Sequence, residues 1–83
     1  MTGPSTASTV LSVVAQLARK SVAIHPQQEL EADLGLDSLD FVKLVMVLEE
    51  RLSISIGDEQ ASSVRTVEQL IALVEGIAAK AGH

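Results

Sequence analysis

Apolar residues recur at helical spacing in three separate stretches of the sequence. The first stretch predicts a helix over about 5–19, and the last predicts one over about 66–81 that opens with a capping box between Thr66 and Gln69. One further helical turn is expected over about 58–62. The stripes at i, i+3, i+4 and i+7 spacing consist of Val10, Val13, Val14 and Leu17 in the first helix and of Val67, Leu70, Ile71, Val74 and Ile77 in the last.

The middle stretch predicts a second helix over about 38–51, with Asp37 as its N-cap. On a helical wheel this helix carries two apolar stripes, although a helix in a small bundle has neighbours on one side only. We therefore expect one stripe in the core. The other is either exposed as a protein-docking strip or covered by the preceding loop. The core stripe consists of Phe41, Leu44, Val45, Leu48 and Leu52, and the second strip of Leu39, Val42 and Met46.

The loop before the second helix spans about 20–37, with a turn expected at Gly35. Because such a loop is long for a small domain, we expect Leu30 and Leu34 to anchor it to the core. The predicted fold is all-α: a small bundle of three main helices plus a short third helix, forming a single domain over residues 1–83.

Composition narrows the functions that this bundle can have. The chain has 83 residues, no cysteine, and 11 acidic against 6 basic residues, for a net charge of -5. The lack of cysteine excludes thiolate metal sites, and the negative charge with a single aromatic residue argues against nucleic acid and anionic membranes as partners. The sequence shows no signal peptide and no membrane-spanning stretch, so we expect a cytoplasmic protein without stable membrane insertion. The acids concentrate in the middle third, which indicates either a basic protein partner or a solvated surface.

Ser38 opens the second helix, where unpaired backbone N–H groups favour a phosphate group. It is alternatively a plain capping serine. A catalytic serine needs an oriented base, and the only histidines, His25 and His83, have no sequence context that places them beside it. The acids within 29–33 have the spacing of a calcium loop, but Leu34 stands where that loop needs glycine. We therefore expect neither an enzyme nor a metal site.

Residues 33–40, which read Asp-Leu-Gly-Leu-Asp-Ser-Leu-Asp, resemble the signature of acyl carrier proteins. The resemblance continues through 44–50, 56–59 and 66–67. It implies that a phosphopantetheinyl transferase moves 4′-phosphopantetheine from coenzyme A onto Ser38. It also implies that the thiol of this arm holds acyl groups as thioesters for fatty acid or specialised lipid biosynthesis.

The resemblance also implies partners and a pocket. The partners would be the transferase and acyl-transferring, ligating or condensing enzymes with basic docking patches. The carrier itself would be a monomer. The partner-binding surface would consist of Asp37, Leu39, Asp40, Val42, Lys43, Met46, Glu49 and Glu50. The acyl chain would enter between the helices, in a pocket lined by Phe41, Leu44, Val45, Leu48, Val64 and Leu70.

The chain departs from the family pattern at several positions. Lys43 stands where glutamate is usual, Phe41 where a small polar residue is common, and Gly57 where proline is frequent. Gln60 and Ser62 replace frequent acids. These differences weaken the acidic surface and suggest a specialised carrier with dedicated partners. The alternatives are a carrier of aminoacyl or polyketide intermediates and an unmodified helical docking module.

Overall fold

Four helices make up the regular structure of the chain. The computed structural model describes residues 5–18 and 23–80, and within these ranges it contains α1 (Thr6–Leu17), α2 (Ser38–Leu52), α3 (Asp58–Ser62) and α4 (Val67–Lys80). The same ranges contain no β-strand, so the predicted all-α class is confirmed.

The helix ends follow from their capping residues. Ser5 caps α1, because its Oγ accepts a hydrogen bond from the Ser8 N–H at 3.0 Å. At the start of α4, Gln69 N–H donates to Thr66 Oγ1 at 3.1 Å and Thr66 N–H donates to Gln69 Oε1 at 3.1 Å, which confirms the expected capping box. α1 ends at Leu17, two residues before the expected end. The expected last residue of α4, at position 81, lies outside the described residues.

The core lies between α1 and the two other long helices, since α1 packs against both α2 and α4. The predicted stripes are buried at their centres, whereas Leu17, Ile71 and Ile77 at their edges are half-buried. Buried hydrophobic residues come from every long helix and from the loops: Val10, Val13, Val14, Leu30, Leu34, Leu36, Leu44, Leu48, Ile54, Ile56, Val67, Leu70, Val74 and Ala78.

The long loop is part of this core. Leu30 and Leu34 are buried, as predicted, and Leu36 is buried with them. Gly35 has φ 75°, in the left-handed region that glycine enters without steric cost. It turns the chain between Leu34 and Leu36.

Backbone hydrogen bonds join the same loop to the start of α4. Leu30 N–H donates to the carbonyl of Arg65 at 2.9 Å, and Val67 N–H donates to that of Gln28 at 3.0 Å. Glu68 N–H donates to Pro26 at 2.9 Å. The loop carbonyls thus satisfy N–H groups that a helix start otherwise leaves unpaired. These bonds fix the loop that leads to α2.

None of the helices in the described ranges is both long and apolar enough to cross a membrane.

Candidate functional site

The start of α2 is held by two reciprocal hydrogen bonds. Asp40 N–H donates to Asp37 Oδ1 at 2.9 Å, and Asp37 N–H donates to Asp40 Oδ2 at 3.2 Å. Asp37 is thus the N-cap that the sequence predicts, and Asp40 completes a capping box. The two carboxylates fix the backbone on either side of Ser38.

Ser38 is exposed as the first residue of α2. Among the described residues, its Oγ has no hydrogen-bond partner, and neither do the backbone N–H groups of Ser38 and Leu39. A helix start concentrates unpaired N–H groups and the positive end of the helix dipole, which together stabilise an anion. Ser38 therefore combines an exposed hydroxyl with backbone N–H groups that can stabilise a phosphate attached to that hydroxyl.

A groove of about 780 Å³ begins at Ser38 and runs between α2 and α3. Its α2 wall includes Phe41 and Val45, and its opposite wall includes Ile56 and Ala61. Its lining is mixed: Phe41, Val45 and Ile56 are buried or half-buried, whereas the charged residues Glu31, Asp58 and Arg65 are exposed. It is therefore suited to an elongated group that starts at Ser38 and has both polar and apolar parts.

The pocket predicted from the sequence is only partly the groove that the structure contains. Phe41, Val45 and Val64 line the groove as expected. Leu44, Leu48 and Leu70 do not, because each points into the core, where its exposed fraction is 1% or less. Helical periodicity identifies apolar residues on the inner face, but it does not separate the packed core from the edge of a groove.

The sequence pattern does not identify all of the residues that line the groove. Leu36 and Ile56 lie in loops, where no periodicity marks them, and Ala61 lies on a helix of five residues. Their positions in the sequence are the one feature that marks two of them, since Leu36 and Ile56 each stand two residues before the start of a helix.

The predicted apolar strip on α2 is exposed. Leu39 is 74% exposed, Val42 53% and Met46 61%, so the long loop does not cover them. Val42 and Met46 also border the groove, which makes the strip and the groove adjoining parts of one surface.

The charged part of the predicted partner surface needs one correction. Asp37, Lys43 and Glu50 are exposed, and Glu49 is half-buried. Asp40 is only 6% exposed, because its carboxylate turns back to cap the helix. Asp40 is therefore a structural residue and does not contribute to an exposed surface.

The structure gives Ser38 no histidine partner within the described ranges. His25 is exposed, its backbone N–H donates to Gln28 Oε1 at 2.8 Å, and it does not line the groove. His83 lies outside the described residues. Residues 5–18 and 23–80 also contain no group of three or more side chains placed to hold a metal ion.

Comparison with known proteins gives the family. The family model for the phosphopantetheine attachment site matches residues 8–74. An acyl carrier protein of Helicobacter hepaticus is 44% identical over 63 residues, covering 76% of this chain and 83% of the relative. Acyl carrier protein 3 of Ralstonia nicotianae is 32% identical over 83 residues, covering 99% of this chain and 95% of the relative.

A solved structure agrees with these relatives. A Mycobacterium tuberculosis protein assigned as an acyl carrier protein superposes with a TM-score of 0.80 at 26% identity, covering 87% of this chain and 97% of the other. The chain belongs to the acyl carrier proteins, whose domain carries a covalently attached 4′-phosphopantetheine. Acyl carrier proteins are carriers and not enzymes, and as a family they interact with phosphopantetheinyl transferases and acyl-handling enzymes.

Proposed function

We propose that Ser38 is the attachment point of 4′-phosphopantetheine and that residues 1–83 act as a single, monomeric carrier domain. The observation that carries the proposal is the exposed Ser38 hydroxyl at the head of the groove, beside two unpaired backbone N–H groups. In this role Ser38 supplies the oxygen of the phosphodiester, and the N–H groups of Ser38 and Leu39 stabilise its charge.

The residues present fit the arm. When attached, the group supplies a terminal thiol that holds an acyl group as a thioester, and the cysteine-free chain has no thiol of its own to compete. The Asp37–Asp40 box keeps the attachment point at a fixed helix start. The half-buried Phe41 and Val45 in the groove wall shelter the aliphatic part of the cargo.

The partners follow from the same surface. The exposed strip of Leu39, Val42 and Met46 contacts the transferase and the enzymes that load, ligate or condense the acyl group. The pathway is fatty acid or specialised lipid biosynthesis in the cytoplasm, where coenzyme A serves as donor of the arm. A carrier of aminoacyl or polyketide intermediates uses the same site with a different cargo.

The exposed strip also suits a second function, that of an unmodified docking module. Such a module binds its partner through α2 without the arm, so its function is unaffected by loss of the Ser38 hydroxyl. Modification chemistry therefore separates the two functions.

The test is intact-mass analysis after incubation with coenzyme A and a broad-specificity phosphopantetheinyl transferase. We expect the wild type to gain one phosphopantetheine and Ser38→Ala to gain none. Ser55→Ala, which removes an exposed loop serine, should gain the same mass as the wild type. Circular dichroism verifies that each variant is folded, and a known carrier serves as positive control. Two outcomes would contradict the proposal. One is that Ser38→Ala gains the phosphopantetheine, and the other is that the wild type gains none while the known carrier is modified.

A further inference from the structure

Fewer acids are fully exposed on α2 than its sequence suggests. The helix contains three acids, but Asp40 is buried in the capping box, and Glu49 Oε2 accepts the Ile56 N–H at 2.7 Å. The exposed charged residues of α2 are then Lys43, Glu50 and Arg51, two bases and one acid.

Lys43 lies along one edge of the apolar strip. It stands four residues after Leu39 and three before Met46, so its side chain neighbours both of theirs on the helix surface. Its ammonium group forms neither a hydrogen bond nor an ion pair with any residue in the described ranges. The surface of α2 therefore presents an unpaired cation beside exposed apolar groups.

A shallow depression of about 290 Å³ adjoins this cation. Leu17, Met46 and Val47 form its apolar part, and Lys43 and Glu50 complete its lining. These two charges are seven residues apart, which is about 10 Å along a helix. The surface thus offers a cation and an anion about two helical turns apart, with Met46 and Val47 between them along the helix.

We propose that Lys43 is a specificity-determining residue, which pairs with a carboxylate on the docking surface of the partner enzyme. The proposal rests on the proposed function, in which partners contact α2. Like charges brought together at an interface disfavour binding, whereas opposite charges steer association. Lys43 therefore disfavours enzymes whose docking surface is uniformly basic. It favours enzymes that place an acid opposite Lys43 and a base opposite Glu50.

The first experiment uses a broad-specificity phosphopantetheinyl transferase with a basic docking surface as the probe. Its kcat/KM is measured with the wild type, Lys43→Glu, Lys43→Gln and Lys80→Glu. The last variant makes the same charge change on an exposed residue of α4. We expect Lys43→Glu to raise kcat/KM about three- to tenfold at low ionic strength. Lys43→Gln should have a kcat/KM between those of the wild type and Lys43→Glu. Lys80→Glu should stay within about twofold of the wild type. The differences should vanish at high ionic strength.

The second experiment tests the carboxylate directly by a double-mutant cycle. Single lysines and arginines on the docking surface of the transferase are changed to glutamate. We expect at least one of these transferase variants to modify the wild-type carrier faster than the unaltered transferase does. The same transferase variant should modify the Lys43→Glu carrier more slowly than the unaltered transferase does.

The results distinguish a failure of this inference from a failure of the proposed function. If the wild type takes the arm but Lys43→Glu behaves like Lys80→Glu, or no transferase variant shows the reversed preference, Lys43 does not determine specificity. If the wild type takes no arm while a known carrier does, the proposed function itself fails.

Discussion

Asp40 illustrates, at the scale of a residue, how the same side chain is interpreted differently in sequence and in structure. In the sequence it is one of many acids in the middle third of the chain, and the resemblance to acyl carrier proteins places it on the partner surface. In the structure its carboxylate accepts the Asp37 N–H and is buried. Asp37 was predictable as a cap from its residue type. The reciprocal bond was not, because glutamate or glutamine usually occupies that position of a capping box.

Removing this carboxylate should cost stability. We expect Asp40→Ala to lower the free energy of unfolding by about 1–2 kcal/mol, because it leaves the Asp37 N–H without its acceptor. Asp40→Asn keeps an acceptor and should lose less. Urea denaturation monitored by circular dichroism measures both changes. Glu75→Ala, an exposed acid on α4, is the control and should change stability by less than about 0.5 kcal/mol. An equal effect of Asp40→Ala and Glu75→Ala would show that the cap contributes nothing.

At the scale of elements, periodicity predicted the helices well and the connections poorly. The inner stripes of α1 and α4 and the exposed strip of α2 follow directly from 3.6-residue spacing. The connections depend on contacts between residues far apart in sequence, such as the bond between Leu30 and Arg65, which no local pattern contains. The groove is lined partly by these connections, which is why only some of its residues were predicted.

The connection between α2 and α3 depends on one side chain. Ser53 ends α2 with φ 54°, in the left-handed region, and the chain then returns so that the Ile56 N–H reaches Glu49 Oε2. Since Ile56 lines the groove, this bond holds one wall in place.

We expect Glu49→Ala to loosen that wall. The Ile56 amide should exchange with solvent about tenfold faster, because the lost bond to a charged acceptor corresponds to about 1.4 kcal/mol. Native-state hydrogen exchange followed by NMR measures the rate. Glu50→Ala removes the neighbouring exposed acid and should leave the rate within about twofold. An unchanged exchange rate in Glu49→Ala would mean that the segment is held by its apolar contacts alone.

At the scale of the whole molecule, the long loop contributes to the core as a helix does. Leu34 has an exposed fraction of 0% although it lies in no helix. We expect Leu34→Ala to cost about 2–5 kcal/mol, the range for removing a buried leucine side chain. That is a large share of the roughly 4–12 kcal/mol typical of a chain this size.

Thermal and urea denaturation measure this loss. Leu39→Ala makes the same change at a position 74% exposed and should cost less than about 0.5 kcal/mol. If the two variants lost similar stability, the loop would not be part of the core.

The hydrogen bonds between the loop and the start of α4 also make the folding of the loop depend on a later part of the chain. The loop that leads to Ser38 shares three backbone hydrogen bonds with residues 65–68. During synthesis residues 65–68 are made after Ser38, so the loop lacks these three partners until the start of α4 has emerged. The segment that leads to Ser38 therefore completes its hydrogen bonds only together with α4. We expect a polypeptide truncated before α4 to be a poorer substrate for the modification proposed at Ser38.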